Sequence, residues 1–269
     1  MTRGILADLQ LAQRLERAEG HACAMSVEAR AAAYPQTGAE WIKVAGAYAM
    51  FDIPSSPLNQ TFGLGLFDEV TPEHMDTVES FFRERSQPVH HEVSPVSGRR
   101  LLNLLTKRGY KPIEYTSVMY RELNELGPAP ATDVQTRITR PDEHDLWART
   151  VTRGWSDSSE LGELIYDLCR VSAGAPGRVL FFAEIDQVPV AGGVLAVHER
   201  VGLLGGASTL PDYRRRGAQA ALLYARQKYA AEAGCDVAMM SAEHPGGVSQ
   251  RNAERAGFRI AYTRIKFER

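Results

Sequence analysis

Two segments of this 269-residue chain resemble each other, and the likeness constrains the fold more than any other feature of the sequence. Residues 108–120 read RGYKPIEYTSVMY, and residues 256–267 read AGFRIAYTRIKF. Each pattern predicts a helix that ends at the glycine, followed by a strand with alternating apolar and polar side chains. The likeness therefore indicates that the two halves of the chain are diverged copies of one unit.

A linker-like stretch at 125–133 separates the two copies. It carries Gly127, Pro128 and Pro130 among short side chains, a composition typical of linkers. We therefore predict two domains, at residues 1–127 and 132–269.

Both halves mix helical and strand patterns, which predicts the α/β or α+β class, with helices against a mixed sheet in each domain. The predicted helices of the first half are 5–32, 71–85 and 98–108, and its strands are 41–51 and 61–67. Thr71 is the expected N-cap of the second helix. In the second half a helix begins at Arg140 and another covers 159–171, while strands cover 179–185, 189–197 and 201–210.

Composition excludes several classes of function. Lys and Arg number 31 against 33 Asp and Glu, and this net charge of −2 argues against a broad basic surface for nucleic acid. No apolar run reaches the roughly 18 residues of a membrane span, and Asp8 interrupts the one signal-like start, so we expect a cytoplasmic protein. The three cysteines lack zinc-ligand spacing, so we expect no metal. A homodimer is compatible with the sequence.

The most informative stretch is 205–224, which reads GGASTLPDYRRRGAQAALLY. The pattern predicts a strand that ends near Pro211, a turn with three arginines and Gly217, and an alanine-rich helix up to Gly234. Free amides at a helix N-terminus bind phosphate oxygens, and glycine allows a close backbone approach. A solvated basic turn before a surface helix is the alternative.

This stretch resembles motif A of the GNAT superfamily, the acyl-CoA-dependent N-acyltransferases. Their phosphate loop has the form Gln/Arg-x-x-Gly-x-Gly/Ala, and here it reads Arg-Arg-Arg-Gly-Ala-Gln at 214–219. The departure is Gln219, where a small residue is usual. The resemblance implies a sheet splayed between two parallel strands, acetyl-CoA as co-substrate, and coenzyme contacts from Ser208, Thr209, Leu210, Arg214, Arg215, Arg216, Gly217, Ala218, Gln219 and Ala220.

The resemblance continues downstream, where 249–258 reads SQRNAERAGF, similar to the helix that borders the coenzyme A thiol arm in GNAT enzymes. It implies that Ser249, which is also a candidate N-cap, and Asn252 contact the coenzyme. The general-acid tyrosine common in the family is replaced here by Ala253. The resemblance covers residues 133–269 well and the first half in outline only. There the acidic turn at 68–74 lacks the phosphate-loop pattern, so we predict that this copy has lost coenzyme binding.

Acyl transfer to an amine needs a neutral amine, a donor to the carbonyl oxygen and a stable departing thiolate. An amide near Thr209 or Leu210 would be that donor, and the glycines at 205 and 206 suit a distorted strand. The strand 201–210 has no acid, so Glu243 and His244 are the candidate bases, with a solvated loop as the alternative interpretation. Trp155 and Asp157 are candidates for recognising the acceptor amine, and core packing is the alternative for Trp155.

The sequence therefore predicts an N-acetyltransferase that acts on a small-molecule amine. The missing tyrosine and strand acid leave open a non-catalytic acyl-CoA sensor or scaffold. A nucleotide-binding module whose ligand is not CoA is a third possibility. Nucleotide-kinase phosphate loops, His-Glu-x-x-His zinc motifs and Gly-x-Ser-x-Gly elbows are all absent from the sequence.

Overall fold

The computed structural model describes residues 7–155, 159–243 and 245–269. The chain divides into two compact units that are not contiguous in sequence. Unit 1 consists of Met1–Met119, Ser241–Gln250 and Ile260–Arg269, and unit 2 consists of Tyr120–Met240 and Arg251–Arg259.

Unit 1 is a mixed sheet flanked by helices. Its strands follow the order β1-β2-β3-β4-β11, in which β3 and β4 are parallel and the other neighbours are antiparallel. Its elements are α1 (Leu9–Ala33), β1 (Glu40–Val44), β2 (Ala47–Phe51), β3 (Gln60–Phe62), α2 (Pro72–Arg83), β4 (His90–Val93), α3 (Arg99–Lys107), most of β5 (Lys111–Glu122) and nearly all of β11 (Arg259–Glu268). Phe82, Val93, Leu105 and Phe267 belong to one buried core cluster of this unit.

The structure splits the single strand predicted at 41–51 into a hairpin. Ala45 and Gly46 form its turn with φ values of 48° and 76°, a left-handed conformation that ends β1 and starts β2. Gly46 also makes room for Phe67, because a Cβ at this glycine would lie 2.5 Å from the Cβ of Phe67. The helix predicted after Thr71 is confirmed, and its N-terminus is closed by a capping box. There the Thr71 hydroxyl accepts from the His74 amide at 3.3 Å.

A buried charge network fixes α1 to β11 inside unit 1. Arg264 of β11 is 3% exposed and lies 2.7 Å from a carboxylate oxygen of Glu19 and 2.9 Å from one of Glu92. The Tyr262 hydroxyl donates to Glu16 at 2.9 Å. Burial, partly offset by Arg264, raises the pKa of Glu16 to about 7. Removing β11 would therefore leave several buried carboxylates without their cation.

Unit 2 is also a mixed sheet flanked by helices. Its strand order is β10-β9-β8-β7-β6, with β9 and β10 parallel and the other neighbours antiparallel. Its elements are β6 (Gln135–Ile138), α4 (His144–Trp155), α5 (Ser159–Ala173), β7 (Arg178–Ile185), β8 (Val188–His198), β9 (Val201–Thr209), α6 (Ala218–Glu232), the first part of β10 (Val237–Glu243) and most of α7 (Val248–Arg255). The parallel register of β9 with β10 ends at Leu203 and Met239, although β9 runs on to Thr209.

The last strand of the second sequence half lies in the unit that the first half mostly forms. β11 belongs to unit 1, where Ile265 lies opposite Val93 of β4. The end of the first copy belongs to unit 2, where the Leu123 amide donates to the Asp236 carbonyl at 2.9 Å. Each compact unit thus combines segments from both halves of the sequence. The contiguous domains 1–127 and 132–269 describe the two duplicated copies, and they stay a prediction.

The predicted α/β class, with a mixed sheet and flanking helices in each unit, is confirmed. Two short strands, β4 and β6, were not predicted, because four residues give too little alternation to mark a strand. Within the described ranges, no helix is both long enough and apolar enough to cross a membrane.

Candidate active site

The turn between β9 and α6 is held in one conformation by its backbone. The Leu210 amide donates to the Val190 carbonyl at 2.9 Å, and Pro211–Tyr213 then form a single 3-10 turn. Gly217 has a φ of 89° and is the N-cap of α6. Because the Leu210 amide is already bonded within the sheet, it is not free to polarise a thioester carbonyl as the sequence suggested.

Gly217 is required here for its conformation and also for space. A Cβ at this position would lie 2.7 Å from the hydroxyl oxygen of Thr132, which donates to the Arg216 carbonyl at 3.2 Å. A side chain would therefore be strained by the positive φ and would also displace Thr132. Gly217 thus allows Thr132 to pack against the turn where the phosphate loop was predicted.

Helix α6 begins with amides that its own turns do not use. The first helical bond in this region runs from the Ala221 amide to the Gly217 carbonyl at 3.0 Å, and the N-cap Gly217 has no side chain to cap the helix. The amides of Ala218, Gln219 and Ala220 precede that bond at the positive end of the helix dipole. Ala218 is buried, Gln219 is half-buried and Ala220 is exposed. This arrangement suits phosphate oxygens.

The three arginines of the turn have different surroundings. Arg214 donates to the backbone carbonyls of Gly154 at 3.0 Å and Thr209 at 3.4 Å, so it ties the turn to the end of α4 and to β9. Arg216 lies 3.5 Å from Asp133 in an exposed ion pair. Arg215 is exposed and has a φ of 65°. Arg215 and Arg216 are thus the two cations best placed to meet an incoming anion, whereas Arg214 supports the turn.

Strand β9 carries a β-bulge just before this turn. The register pairs Val194 with Gly205 and Gly192 with Ser208, so Gly193 of β8 faces two residues of β9, Gly206 and Ala207. Gly206 has a φ of 50°, which the absence of a side chain permits. The strand distortion predicted from the two glycines is therefore confirmed.

The end of α4 packs closely against β9 beside the bulge. The Ser208 hydroxyl is buried and donates to the Val151 carbonyl at 2.6 Å. Trp155 is 51% exposed, and its indole N–H donates to the Ala207 carbonyl at 2.9 Å. Trp155 is thus not a core residue, and its polar edge is bound to the bulge.

A buried arginine of α6 is the residue that sequence reasoning missed. Arg226 is 1% exposed and donates to the carbonyls of Leu222, Val194 and Gly205 at 3.1, 3.2 and 3.0 Å. Burial lowers its pKa to about 9. The only signal in the sequence was an arginine four residues after Leu222, on the apolar face of an alanine-rich helix.

Comparison with known proteins shows which family this part of the chain is similar to. The model of the acetyltransferase (GNAT) family matches residues 142–258, the part of the chain with the bulge and the predicted phosphate loop. Residues 142–258 form a GNAT acetyltransferase domain. The chain shows no significant sequence match to a curated protein.

Solved structures of the same fold are similar to most of the chain, including its first half. A GCN5-related N-acetyltransferase from Kribbella flavida is similar with a TM-score of 0.63 and 18% identity, over 89% of this chain and 94% of that one. A GCN5-related N-acetyltransferase from Sphaerobacter thermophilus gives a TM-score of 0.59 and 20% identity, over 83% and 76%. A tandem GNAT protein from the clavulanic acid biosynthesis pathway gives 0.58 and 13%, over 83% and 78%. The fold is that of tandem GNAT-like domains with splayed sheets.

Helix α7 of the GNAT domain carries two further predicted contacts. Ser249 is exposed and lies inside the helix, which begins at Val248, so Ser249 is not the N-cap. Asn252 is half-buried, and its side-chain oxygen accepts from Arg255 at 3.1 Å. Ala253, at the position where the family has its tyrosine, is fully buried.

The remaining candidates of the GNAT domain are defined only in part. Glu243 is the last residue of β10. His244 and Asp157 lie outside the described residues. The bases and the acceptor contact proposed from these residues stay predictions.

Proposed function

We propose that this chain transfers an acetyl group from acetyl-CoA to the primary amine of a small molecule. The observation that carries the proposal is the start of α6, where three amides precede the first helical bond and the N-cap is a glycine with a left-handed conformation. Amides, a helix dipole and two exposed arginines form a donor set that matches a diphosphate.

The residues of the turn fit the coenzyme in complementary ways. The amides of 218–220 would bind pyrophosphate oxygens, and Arg215 and Arg216 would neutralise their charge. The half-buried Gln219 would stand beside this site, where its side-chain amide can donate to a phosphate oxygen. Ser249 and Asn252 are proposed contacts for the pantetheine or adenosine part.

The chemistry needs a donor to the thioester carbonyl, and the bulge of β9 is the part of the domain suited to supply it. Beyond Leu203 the register of β9 with β10 stops, and the strand there is distorted by Gly206. Glu243 and His244 are proposed to accept the proton of the amine. Trp155 and Asp157 are proposed to contact the acceptor, and for Trp155 this role falls to the exposed ring, since its N–H is bound to Ala207.

A non-catalytic acyl-CoA sensor is the second candidate, and two observations favour it. Ala253 replaces the acid tyrosine, and β9 carries no acidic residue. A thiol-release assay with acetyl-CoA and a panel of amines separates the two functions. Turnover with any amine rejects the sensor, whereas tight coenzyme binding without turnover across the panel favours it. Stabilisation by ATP or NAD and not by CoA would reject both.

The coenzyme site is tested by Gly217→Glu. The substitution adds a negative charge at the N-cap of α6, next to the three amides, and its side chain displaces Thr132. We therefore expect acetyl-CoA binding to fall by at least about 100-fold, because the charge repels the diphosphate and the turn is distorted. The measurement is isothermal titration calorimetry.

Gly234→Glu is the matched control for this variant. Gly234 follows the other end of α6 and has a φ of 84°, so the same substitution brings the same charge and similar backbone strain. We expect this control to lose stability and to bind acetyl-CoA like the wild type. Equal affinities of the wild type and Gly217→Glu would remove the site assignment.

A further inference from the structure

Arg226 is a buried cation in unit 2 whose partners are all backbone carbonyls. Among the described residues, no carboxylate lies within ion-pair distance of its guanidinium, and its three hydrogen bonds go to Leu222, Val194 and Gly205. A buried charge without a counter-ion is costly, and an apolar side chain would fill the same space at lower cost. The hydrogen bonds to the Val194 and Gly205 carbonyls are therefore the contacts that can explain why an arginine is buried here.

Those two carbonyls define one border of the bulge. Val194 and Gly205 are the last register pair before the extra residue of β9, and one nitrogen, Nη1, donates to both carbonyls. Arg226 thus holds the two strands together at the position where their own ladder is interrupted.

Strand β8 has a glycine that admits the guanidinium. A Cβ at Gly193 would lie 2.9 Å from Cζ of Arg226 and 3.0 Å from Nη1. The φ of Gly193 is not in the left-handed region, so the glycine is required for the space and not for the backbone conformation. The neighbouring Gly192 has the corresponding role for α4, because its Cβ would lie 2.7 Å from Val151.

The bond to Gly205 has an effect on the other end of the same peptide group. Since the chain has no cis peptide bond among its described residues, the Gly205 carbonyl and the Gly206 N–H point in opposite directions. An amide whose carbonyl accepts from a cation is a stronger donor. Arg226 therefore directs the Gly206 N–H away from itself and increases its donor strength. Two residues after Gly205, the Ala207 carbonyl accepts a hydrogen bond from the indole N–H of Trp155.

We propose that Arg226 is a positioning residue for acyl transfer, which fixes the bulge of β9 so that the Gly206 N–H donates to the carbonyl oxygen of the bound acyl thioester. This inference rests on the proposed function. In the reaction the amine nitrogen bonds to the carbonyl carbon, the C–S bond breaks, and the proton lost by the amine balances the charge of the thiolate. Arg226 exchanges no proton and touches no reacting atom.

The test compares Arg226→Met, Arg226→Lys and Gly193→Ala with the wild type. Arg226→Met removes the cation, and Gly193→Ala displaces it without changing its charge. We expect kcat for acetyl transfer to fall about 10-fold or more in both, because a misplaced donor loses much of its effect on the transition state. We expect KM for acetyl-CoA to stay within about 2-fold, because the pyrophosphate contacts are elsewhere. Arg226→Lys keeps one donor group, so its kcat should lie between those of the wild type and Arg226→Met.

Gln227→Met is the matched control for lost stability. Gln227 is also a 1% exposed polar residue of α6, and it accepts from Arg121, away from the bulge. We expect this control to lower Tm and to leave kcat per folded molecule unchanged. Kinetic values are referred to the concentration of acetyl-CoA sites found by calorimetry.

A spectroscopic measurement reports on the hydrogen bond itself. The carbonyl stretch of acetyl-CoA labelled with ¹³C at the thioester should shift to lower frequency on binding to the wild type. We expect this shift to shrink in Arg226→Lys and Gly193→Ala and to persist in Gln227→Met. An unchanged band and an unchanged kcat in folded Arg226→Lys and Gly193→Ala would overturn the inference alone. A wild type that does not bind acetyl-CoA would overturn the proposed function and the inference with it.

Discussion

At the scale of single residues, small side chains decide where the backbone of unit 2 is accessible. Gly217 makes room for Thr132 at the start of α6, Gly193 admits Arg226, and Gly154 lets the end of α4 approach Ser208 and Thr209. At each of these glycines a Cβ would lie too close to a neighbouring side chain, and only Gly217 among the three has a positive φ. In this domain a glycine is thus required either because a side chain has no space or because the backbone has a positive φ, and these are separate reasons.

Asp133 offers a residue-scale test of the predicted phosphate loop. Its carboxylate is 71% exposed and lies 3.5 Å from Arg216, where it competes with an incoming phosphate. We expect Asp133→Asn to tighten acetyl-CoA binding by about 2-fold at low salt, and we expect the gain to vanish at high salt because exposed charges are screened. The measurement is the Kd at two ionic strengths.

Asp186→Asn is the control for this charge change. Asp186 lies in the turn between β7 and β8 with a φ of 51°, a conformation that asparagine tolerates. It changes the net charge equally without touching Arg216. The same gain in both variants would show that net charge, and not the pair with Arg216, sets the affinity.

At the scale of elements, the sequence predicted what local pattern encodes. The helix cap at Thr71, the turn after β9 and the helix from Ala218 are all marked by residues next to one another in the chain. The hairpin turn at Ala45 and Gly46 is also local, yet Ala45 gives no signal because alanine rarely adopts a positive φ.

Contacts between distant elements were beyond the sequence patterns. An arginine on the buried face of α6 has no local sign that its partners are carbonyls of β8 and β9. In the same way, β11 has the alternating pattern of a strand whichever unit it joins, so its pairing with β4 could not be predicted.

The contact of α1 with β11 in unit 1 predicts a pH dependence of stability. The folded-state pKa of Glu16 is raised to about 7, so between about pH 4.5 and 7 the folded state holds a proton that the unfolded state has released. Stability must therefore fall as the pH rises through this window. We expect Glu16→Gln, which mimics the protonated form, to weaken this fall by about 1–3 kcal/mol between pH 5 and 8.

Urea unfolding of the wild type and of Glu16→Gln at both pH values measures the effect. Glu28→Gln serves as the control, because Glu28 is an exposed residue of the same helix that accepts from Trp41 at 2.9 Å. An equal slope of stability against pH in the wild type and Glu16→Gln would contradict the raised pKa.

At the scale of the whole molecule, the place of β11 means that the first half of the sequence does not contain all of unit 1. The predicted domain 1–127 lacks β11, so Glu92, which is 4% exposed, would lose Arg264 and Lys266, and the core would lose Phe267. A buried carboxylate left without its cations is strongly destabilising. We expect the fragment 1–127 to show no cooperative unfolding transition.

A fusion of residues 257–269 to this fragment through a flexible linker is the complementary experiment. It returns β11 to β4 and should restore a cooperative transition in urea. A fragment 1–127 that unfolds cooperatively with the same midpoint as the fusion would show that β11 is dispensable to unit 1, and it would support the contiguous domains.

The place of β11 also sets the order of events during synthesis on the ribosome. His90 of β4 and Glu268 of β11 bond at 2.8 Å although 178 positions separate them. Residues 1–119 are translated first, but unit 1 cannot be completed until β11 is made, after residues 142–258. In the cell this period is when nascent chains would most depend on chaperones, since the edge of β4 and its buried carboxylate, Glu92, are uncovered until β11 is made.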